Sequence, residues 1–208
     1  PPRSTLFPYT TLFRSDLGCD LKVVPLEGWQ RQQWYDQTGL KWISPSPNMP
    51  TVNTATVYPG LCLIEGTNLS EGRGTTRPFE YIGAPWLKSR ELVDRLNRLQ
   101  LPGVHFRQQA FTPTFSKYQD EPSQGIQIHV LDRHSLDPLR TLLHLLAEVR
   151  KLHPEQLEFR SAFFDRLMGN SSVREALLQG KPVKEIVDQW QPALQEFKQT
   201  REKYLLYP

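Results

Sequence analysis

Between Glu65 and Glu80 the chain reads EGTNLSEGRGTTRPFE. Two carboxylates, Glu65 and Glu71, stand close in sequence to two guanidinium groups, Arg73 and Arg77, in a run opened by Gly66, Gly72 and Gly74. Two kinds of chemistry use such a set. Glycoside hydrolysis needs two carboxyl groups facing one sugar, one as acid and the other as base or nucleophile. An arginine is the natural fork for a substrate carboxylate. The competing reading is that these side chains pair with one another and stiffen an irregular loop. The apolar run LCLIE (61–65) reads as a strand that delivers Glu65 to the loop. Polar, glycine-rich loops at strand ends are a common place for sites.

Other chemistries lack their residues. A nucleotide cradle is not expected, because GRGTTR places Arg77 where a third glycine belongs and no G-x-x-x-x-G-K-[ST] occurs. The histidines at 105, 129, 134, 144 and 153 are scattered, with no H-E-x-x-H and no cysteine partner at metal-ligand spacing, so neither a metal nor a cofactor is expected. There is no G-x-S-x-G elbow, and neither Cys19 nor Cys62 has a nucleophile's sequence context. Lys and Arg are interspersed with Asp and Glu for a net charge of +3, which argues against a nucleic-acid partner. No apolar run approaches the ~20 residues of a membrane span.

The elements that must position the loop follow from periodicity. LKVVPLE (21–27) reads as a short strand, and SPSPNMP (44–50) as extended and irregular because proline restricts itself and its predecessor. SRELVDRLNRLQLPG reads as a helix capped by Ser89, with Leu92, Val93, Leu96 and Leu99 on one face. Alternation predicts strands over 104–111 and 125–132. The strongest helix follows Asp137 and Pro138, with Leu139, Leu142, Leu143, Leu146 and Val149 as its apolar stripe, set to face the sheet carrying Ile126, Ile128 and Val130. A short helix over 161–168 stops at Gly169. Another begins with a capping box of Ser172 and Glu175, and a last one starts near Pro182 and bends at Pro192. This order predicts an α+β or α/β fold. The first fifteen residues, PPRSTLFPYTTLFRS, share none of these periods and read as a leader foreign to the rest, resembling translated adapter or vector sequence.

Three segments carry a family resemblance: PSPNMPT (45–51), YPGLCLIEGTNLSEGRGTTRPFEYIGAPW (58–86) and REKYLLYP (201–208). Together they resemble the bacterial exo-β-N-acetylmuramidase family, formerly catalogued as a domain of unknown function. The resemblance implies a remnant of a Rossmann-like α/β domain over 16–55 and an α+β C-terminal domain over 56–208. It implies release of N-acetylmuramic acid from the non-reducing ends of peptidoglycan fragments, in a periplasmic or secreted parent protein. Glu65, Asn68, Glu71, Arg73, Thr75 and Arg77 then become the candidate substrate-binding residues, with Arg73 and Arg77 suited to the lactyl carboxylate. The family's principal catalytic glutamate belongs to a PEHG-type motif, which does not occur in this sequence. The chain therefore reads as a truncated member, inactive alone. The family pattern also leads one to expect a cysteine just before GIQIHV, where Ser123 and Gln124 stand, so the pattern's disulfide partner for Cys62 is missing. The alternative reading is a non-catalytic carbohydrate-binding module using Trp29, Trp34, Trp42, Tyr58 and Trp86 as stacking platforms.

Overall fold

Thr51 begins the ordered scaffold: its hydroxyl accepts the Thr54 amide and caps a helix, α1 (Val52–Leu61). The computed structural model describes residues 24–202 and 205–207. The leader 1–15, Cys19 and the first residues of the strand expected over 21–27 lie outside them. Residues 24–27 are not in a strand.

The described chain divides into two compact units. One is Trp42–Asp188. The other joins the segment ending at Lys41 to the segment from Gln189 onward. In this second unit Tyr207 fastens the two segments: its hydroxyl accepts the Leu26 amide at 2.7 Å, and the Trp29 ring meets it edge-on at 4.7 Å. A 3-10 turn, Tyr35–Gln37, is the regular structure of the first segment.

The Trp42–Asp188 unit has an α+β core. Strands β1 (Tyr81–Ala84), β2 (Val104–Phe111) and β3 (Ser123–Val130) form an antiparallel sheet in the order β1-β3-β2. Side chains alternate across such a sheet. Ile82, Ala84, Phe106, Ile126 and Ile128 are buried on one face, against α2 (Ser89–Arg98). Tyr81, His105, Arg107, Gln109, Phe111, Gln127 and His129 belong to the other by the observed register. Helices α3 (Pro138–Leu152), α4 (Ser161–Met168), α5 (Ser172–Leu178) and α6 (Val183–Glu202) complete the chain.

The strand expected at 61–65 is instead the end of α1 and a 3-10 turn, Cys62–Gly66. Leu61, Leu63 and Ile64 are all buried, and a short run that is apolar all round carries no period to separate helix from strand. Strand β1 was not foreseen for the complementary reason: its four residues include a glycine and an alanine and show no alternation. Two caps also differ. Lys88, not Ser89, precedes α2, and the buried Ser89 hydroxyl accepts from Gln108 Nε2 at 3.0 Å. Ser172 is the first residue of α5 rather than its cap, and Asn170 Oδ1 accepts from both its amide and its hydroxyl, so the capping box does not form.

Helix α3 follows expectation at its start, where Asp137 accepts the Arg140 amide and Pro138 takes the first turn. Its nearest backbone neighbours are helices α1, α2 and α5 rather than the sheet. The approach to α1 is close because Gly60 has no side chain: a Cβ there would lie 2.1 Å from the Pro138 carbonyl oxygen. Leu142, Leu143, Leu145, Leu146 and Val149 are fully buried in the resulting core. Replacing Leu143 by Ala should therefore cost about 2–5 kcal/mol in a urea or guanidinium titration. A loss below about 0.5 kcal/mol would mark this face as surface.

Candidate functional site

The loop from Glu65 to Glu80 is pinned at its start. The Thr67 hydroxyl donates to the Ile64 carbonyl and accepts the Leu69 amide. Ser70 exchanges backbone hydrogen bonds with Gly83 of β1 at 2.8 and 3.1 Å. Gly72 and Gly74 then take left-handed backbone conformations, with φ +75° and +78°. At Gly74 a Cβ would lie 2.6 Å from the Phe115 amide nitrogen, so glycine is what lets this loop meet the β2–β3 connection. The Gly74 carbonyl accepts there from the Thr114 amide at 2.9 Å and the Thr114 hydroxyl at 3.0 Å.

Beneath the loop lies a partly buried ionic cluster centred on a buried carboxylate. Glu71 is only 3% exposed. Arg73 Nε lies 3.2 Å from its Oε1, and Lys117 Nζ lies 3.0 Å from its Oε2. Arg73 Nη2 donates to Glu65 Oε1 at 2.9 Å, and its guanidinium lies over the Phe79 ring. Lys117 also donates to the carbonyls of Leu69 at 2.8 Å, Ile64 at 3.1 Å and Glu65 at 3.4 Å. Burial pulls the Lys117 ammonium below the ordinary lysine range, and the neighbouring Glu71 carboxylate opposes that shift. Burial is also the main reason the Cys62 thiol beside Glu65 is raised above its usual range.

Arg77 belongs to a separate pair. Its Nη1 lies 3.2 Å from Oε2 of the buried Glu80, whose Oε1 accepts from the Thr54 hydroxyl at 2.7 Å. Asn68 bridges to another segment: its Nδ2 donates to the Gln156 carbonyl at 2.7 Å and its Oδ1 accepts the Glu158 amide at 3.0 Å. Its carbonyl accepts from Tyr118 Oη, which in turn accepts from Trp86 Nε1. The Thr75 hydroxyl donates to the Gly72 carbonyl and accepts the Arg77 amide. The structure thus brings Glu65, Glu71 and Arg73 together in one cluster. It holds Arg77, Asn68 and Thr75 in other arrangements.

The open space lies on the far side of Gly74. A cleft of about 610 Å³ is walled by Gly74, Thr75 and Thr76 of this loop, by Pro47 and Asn48, and by the β2–β3 hairpin. Its aromatic surface comes from Tyr81, Phe111 and Phe115, and its hairpin polar groups from Gln109, Thr112 and Thr114. Thr75 is the one residue of the six-residue candidate set that lines it. The rings of Tyr81 and Phe111 stack at 5.8 Å. Phe111 fits there because it lies over Gly83 and Gly125, which face each other in the β1–β3 ladder. Sequence reasoning missed these aromatics. A glycine in each of two paired strands leaves room for a neighbouring ring, but Gly83 lies in β1, which shows no alternation, so the pairing is not readable from the sequence. Tyr58 and Trp86 are occupied otherwise, packing edge-on against Phe79 and His153.

What the ionic cluster can do chemically is limited. Glu71 is closed from solvent by two cations, and Arg73 is shared between two carboxylates. Neither is free to meet a ligand without breaking these pairs. Among the described residues, no group of three or more His, Cys, Asp or Glu side chains is placed to hold a metal ion. No helix among them is long and apolar enough to cross a membrane.

Comparison with known proteins matches the chain to a family. The model described as "Exo-beta-N-acetylmuramidase NamZ, C-terminal" matches residues 56–207, and its N-terminal counterpart matches residues 6–53. The second match begins inside the stretch read as a foreign leader. The chain is 46% identical over 206 residues to the peptidoglycan β-N-acetylmuramidase NamZ of Bacillus subtilis (strain 168), covering 98% of this chain and 50% of that protein. Two crystal structures of DUF1343 family proteins from Bacteroides fragilis also resemble it. One is 34% identical with a TM-score of 0.84, covering 91% of this chain and 51% of the other. The second is 29% identical with a TM-score of 0.65, covering 91% and 49%. The chain spans about half the length of each of these relatives.

Two outcomes follow from the site's electrostatics. Lys117→Met should cost about 3–5 kcal/mol, because it strips a buried carboxylate of one of its cations and leaves carbonyls unpartnered. Chemical denaturation measures this, and a loss below about 1 kcal/mol would show that the ammonium is not needed. The second outcome concerns pH. The Lys88 amide donates to His153 Nε2 at 3.1 Å, which requires that nitrogen to be unprotonated. Burial first, then the Lys88 charge, holds the His153 pKa below its ordinary value, and burial does the same at His144 and His129. The unfolded chain therefore binds more protons between about pH 6.5 and the lowered native values, so stability falls as pH drops through that window. Urea midpoints at pH 7.5 and 5.5 should show the loss, and His153→Gln should lessen it.

Proposed function

The chain belongs to the exo-β-N-acetylmuramidase NamZ family, and from that premise we propose that the Trp42–Asp188 unit presents the sugar-facing surface of a hydrolase releasing N-acetylmuramic acid from non-reducing ends of peptidoglycan fragments. The cleft beside the loop carries this reading. A pyranose offers apolar ring faces and a rim of hydroxyls. Tyr81, Phe111 and Phe115 supply aromatic surface, and Asn48, Gln109 and the threonines supply neutral donors and acceptors.

In this reading the loop divides its labour. Thr75 contacts the ligand. Glu65, Asn68, Glu71 and Arg73 hold the wall of the cleft in shape, and Arg77 with Glu80 anchors its far end. Residues 16–55 belong to the end of a Rossmann-like α/β domain and residues 56–208 to the C-terminal α+β domain. The principal catalytic glutamate is supplied by a PEHG-type motif on a polypeptide segment other than this one. The setting is periplasmic or secreted, where peptidoglycan fragments are met.

A chromogenic N-acetylmuramide assay tests the proposal. The chain alone should show no turnover, because acid and base or nucleophile roles are both required. Joining it to a family N-terminal domain should restore turnover, and Tyr81→Ala in the joined enzyme should raise KM. Robust turnover by the chain alone would overturn the division of roles. Unchanged KM in the Tyr81 variant would overturn the cleft as the sugar surface.

A further inference from the structure

Three arginines stand within two residues in sequence of cleft-lining positions, Arg73 and Arg77 on the loop and Arg107 on β2, and their charges have different fates. Arg73 is matched by Glu65 and Glu71, and Arg77 by Glu80. Arg107 differs. It is exposed on the uncovered face of the sheet, and its Nη2 donates to Gln109 Oε1 at 2.7 Å and Gln127 Oε1 at 2.6 Å. Both acceptors are neutral amides. Among the described residues no carboxylate lies within ion-pair distance of it. Gln109 itself lines the cleft, so this guanidinium is one hydrogen bond away from the cleft wall.

Two glutamine carbonyls orient the guanidinium without cancelling its charge, which is the arrangement that leaves a fork available for an incoming anion. His129 shares this sheet face, and its proton affinity is lowered by burial first, then by Arg107 and His105, against an opposing pull from Glu80. Its Nε2 is buried with no hydrogen-bond partner.

We propose that Arg107, oriented by Gln109 and Gln127, is the specificity determinant that reads a carboxylate on the sugar bound in the cleft. The inference rests on the reading of the cleft as a sugar site. It moves recognition of the acidic substituent from the loop arginines, where the sequence put it, to the sheet face.

The test compares binding of N-acetylmuramic acid, its methyl ester and N-acetylglucosamine to the full chain by titration calorimetry or NMR. The chain should prefer the acid to the ester by about tenfold or more, the usual worth of a charge-assisted hydrogen bond. Arg107→Gln should abolish that preference and leave ester affinity unchanged, while Arg107→Lys keeps part of it. Gln127→Glu, which neutralises the guanidinium without removing it, should also abolish it. Thermal unfolding of each variant separates lost recognition from lost fold. A preference that survives in folded Arg107→Gln, or no preference in the parent chain, would overturn the inference while leaving the sugar site standing. Failure of all three sugars to bind would overturn the sugar site itself, and the inference with it.

Discussion

A largely buried ammonium ties the site together. Lys117 sits at the tip of the β2–β3 hairpin, yet its side chain passes under the Glu65–Glu80 loop to meet three carbonyls and a carboxylate. Desolvating such a charge costs several kcal/mol unless its donors are all used. The hairpin backbone pays a further cost in conformation, since Ser116, Tyr118 and Asp120 all adopt positive φ without being glycine. Strain of that kind persists only where the surroundings over-determine it. Here they do: Lys117 faces the cluster, and Tyr118 donates to the Asn68 carbonyl. The 3-10 turn, the loop and the hairpin are therefore one mechanical body, and the cleft between loop and hairpin inherits its shape from that junction.

The same junction decides which charges remain available. A carboxylate beneath a loop draws its cations inward, so Arg73 and Lys117 serve the fold. Arg107 stands on a strand whose neighbours are glutamines, and its charge stays on the surface. Sequence proximity to a glycine-rich loop made Arg73 the obvious partner for an acidic ligand. Register between β2 and β3, which brings Gln127 beside Arg107, points elsewhere.

Much of the scaffold was legible in the residues. Alternation marked β2 and β3, and the Asp-Pro start with its leucine stripe marked α3. The Gly169 stop of α4 was also readable, and it has the left-handed φ of +87° that such a stop requires. The turn at 62–66 was not, because Leu61, Leu63 and Ile64 are buried irrespective of period. The loop's glycines and charges mark it as a place of interest, and mutual pairing of Glu65 and Glu71 with Arg73 is one of the two readings its residues allow. Arg77 finds Glu80, a partner three residues on that the sequence reading did not consider. The cleft itself is built from residues 47–48, 74–76, 81 and 109–115. Only tertiary structure brings those segments together, and no local pattern announces it.

Gly83 and Gly125, facing each other across the β1–β3 ladder, decide how closely the Phe111 ring can settle on the sheet. An added Cβ at these positions would lie 2.9 and 2.7 Å from the Phe111 ring. The same Cβ would lie still closer, 2.4 Å, to a backbone carbonyl of the paired strand, Gln124 for Gly83 and Ile82 for Gly125. A methyl group at either one would therefore part β1 from β3 before it displaced the ring. Neither glycine lines the cleft, yet the two together are the spacer that keeps ladder and aromatic wall in register, so the cleft's shape is tied to positions hidden beneath it.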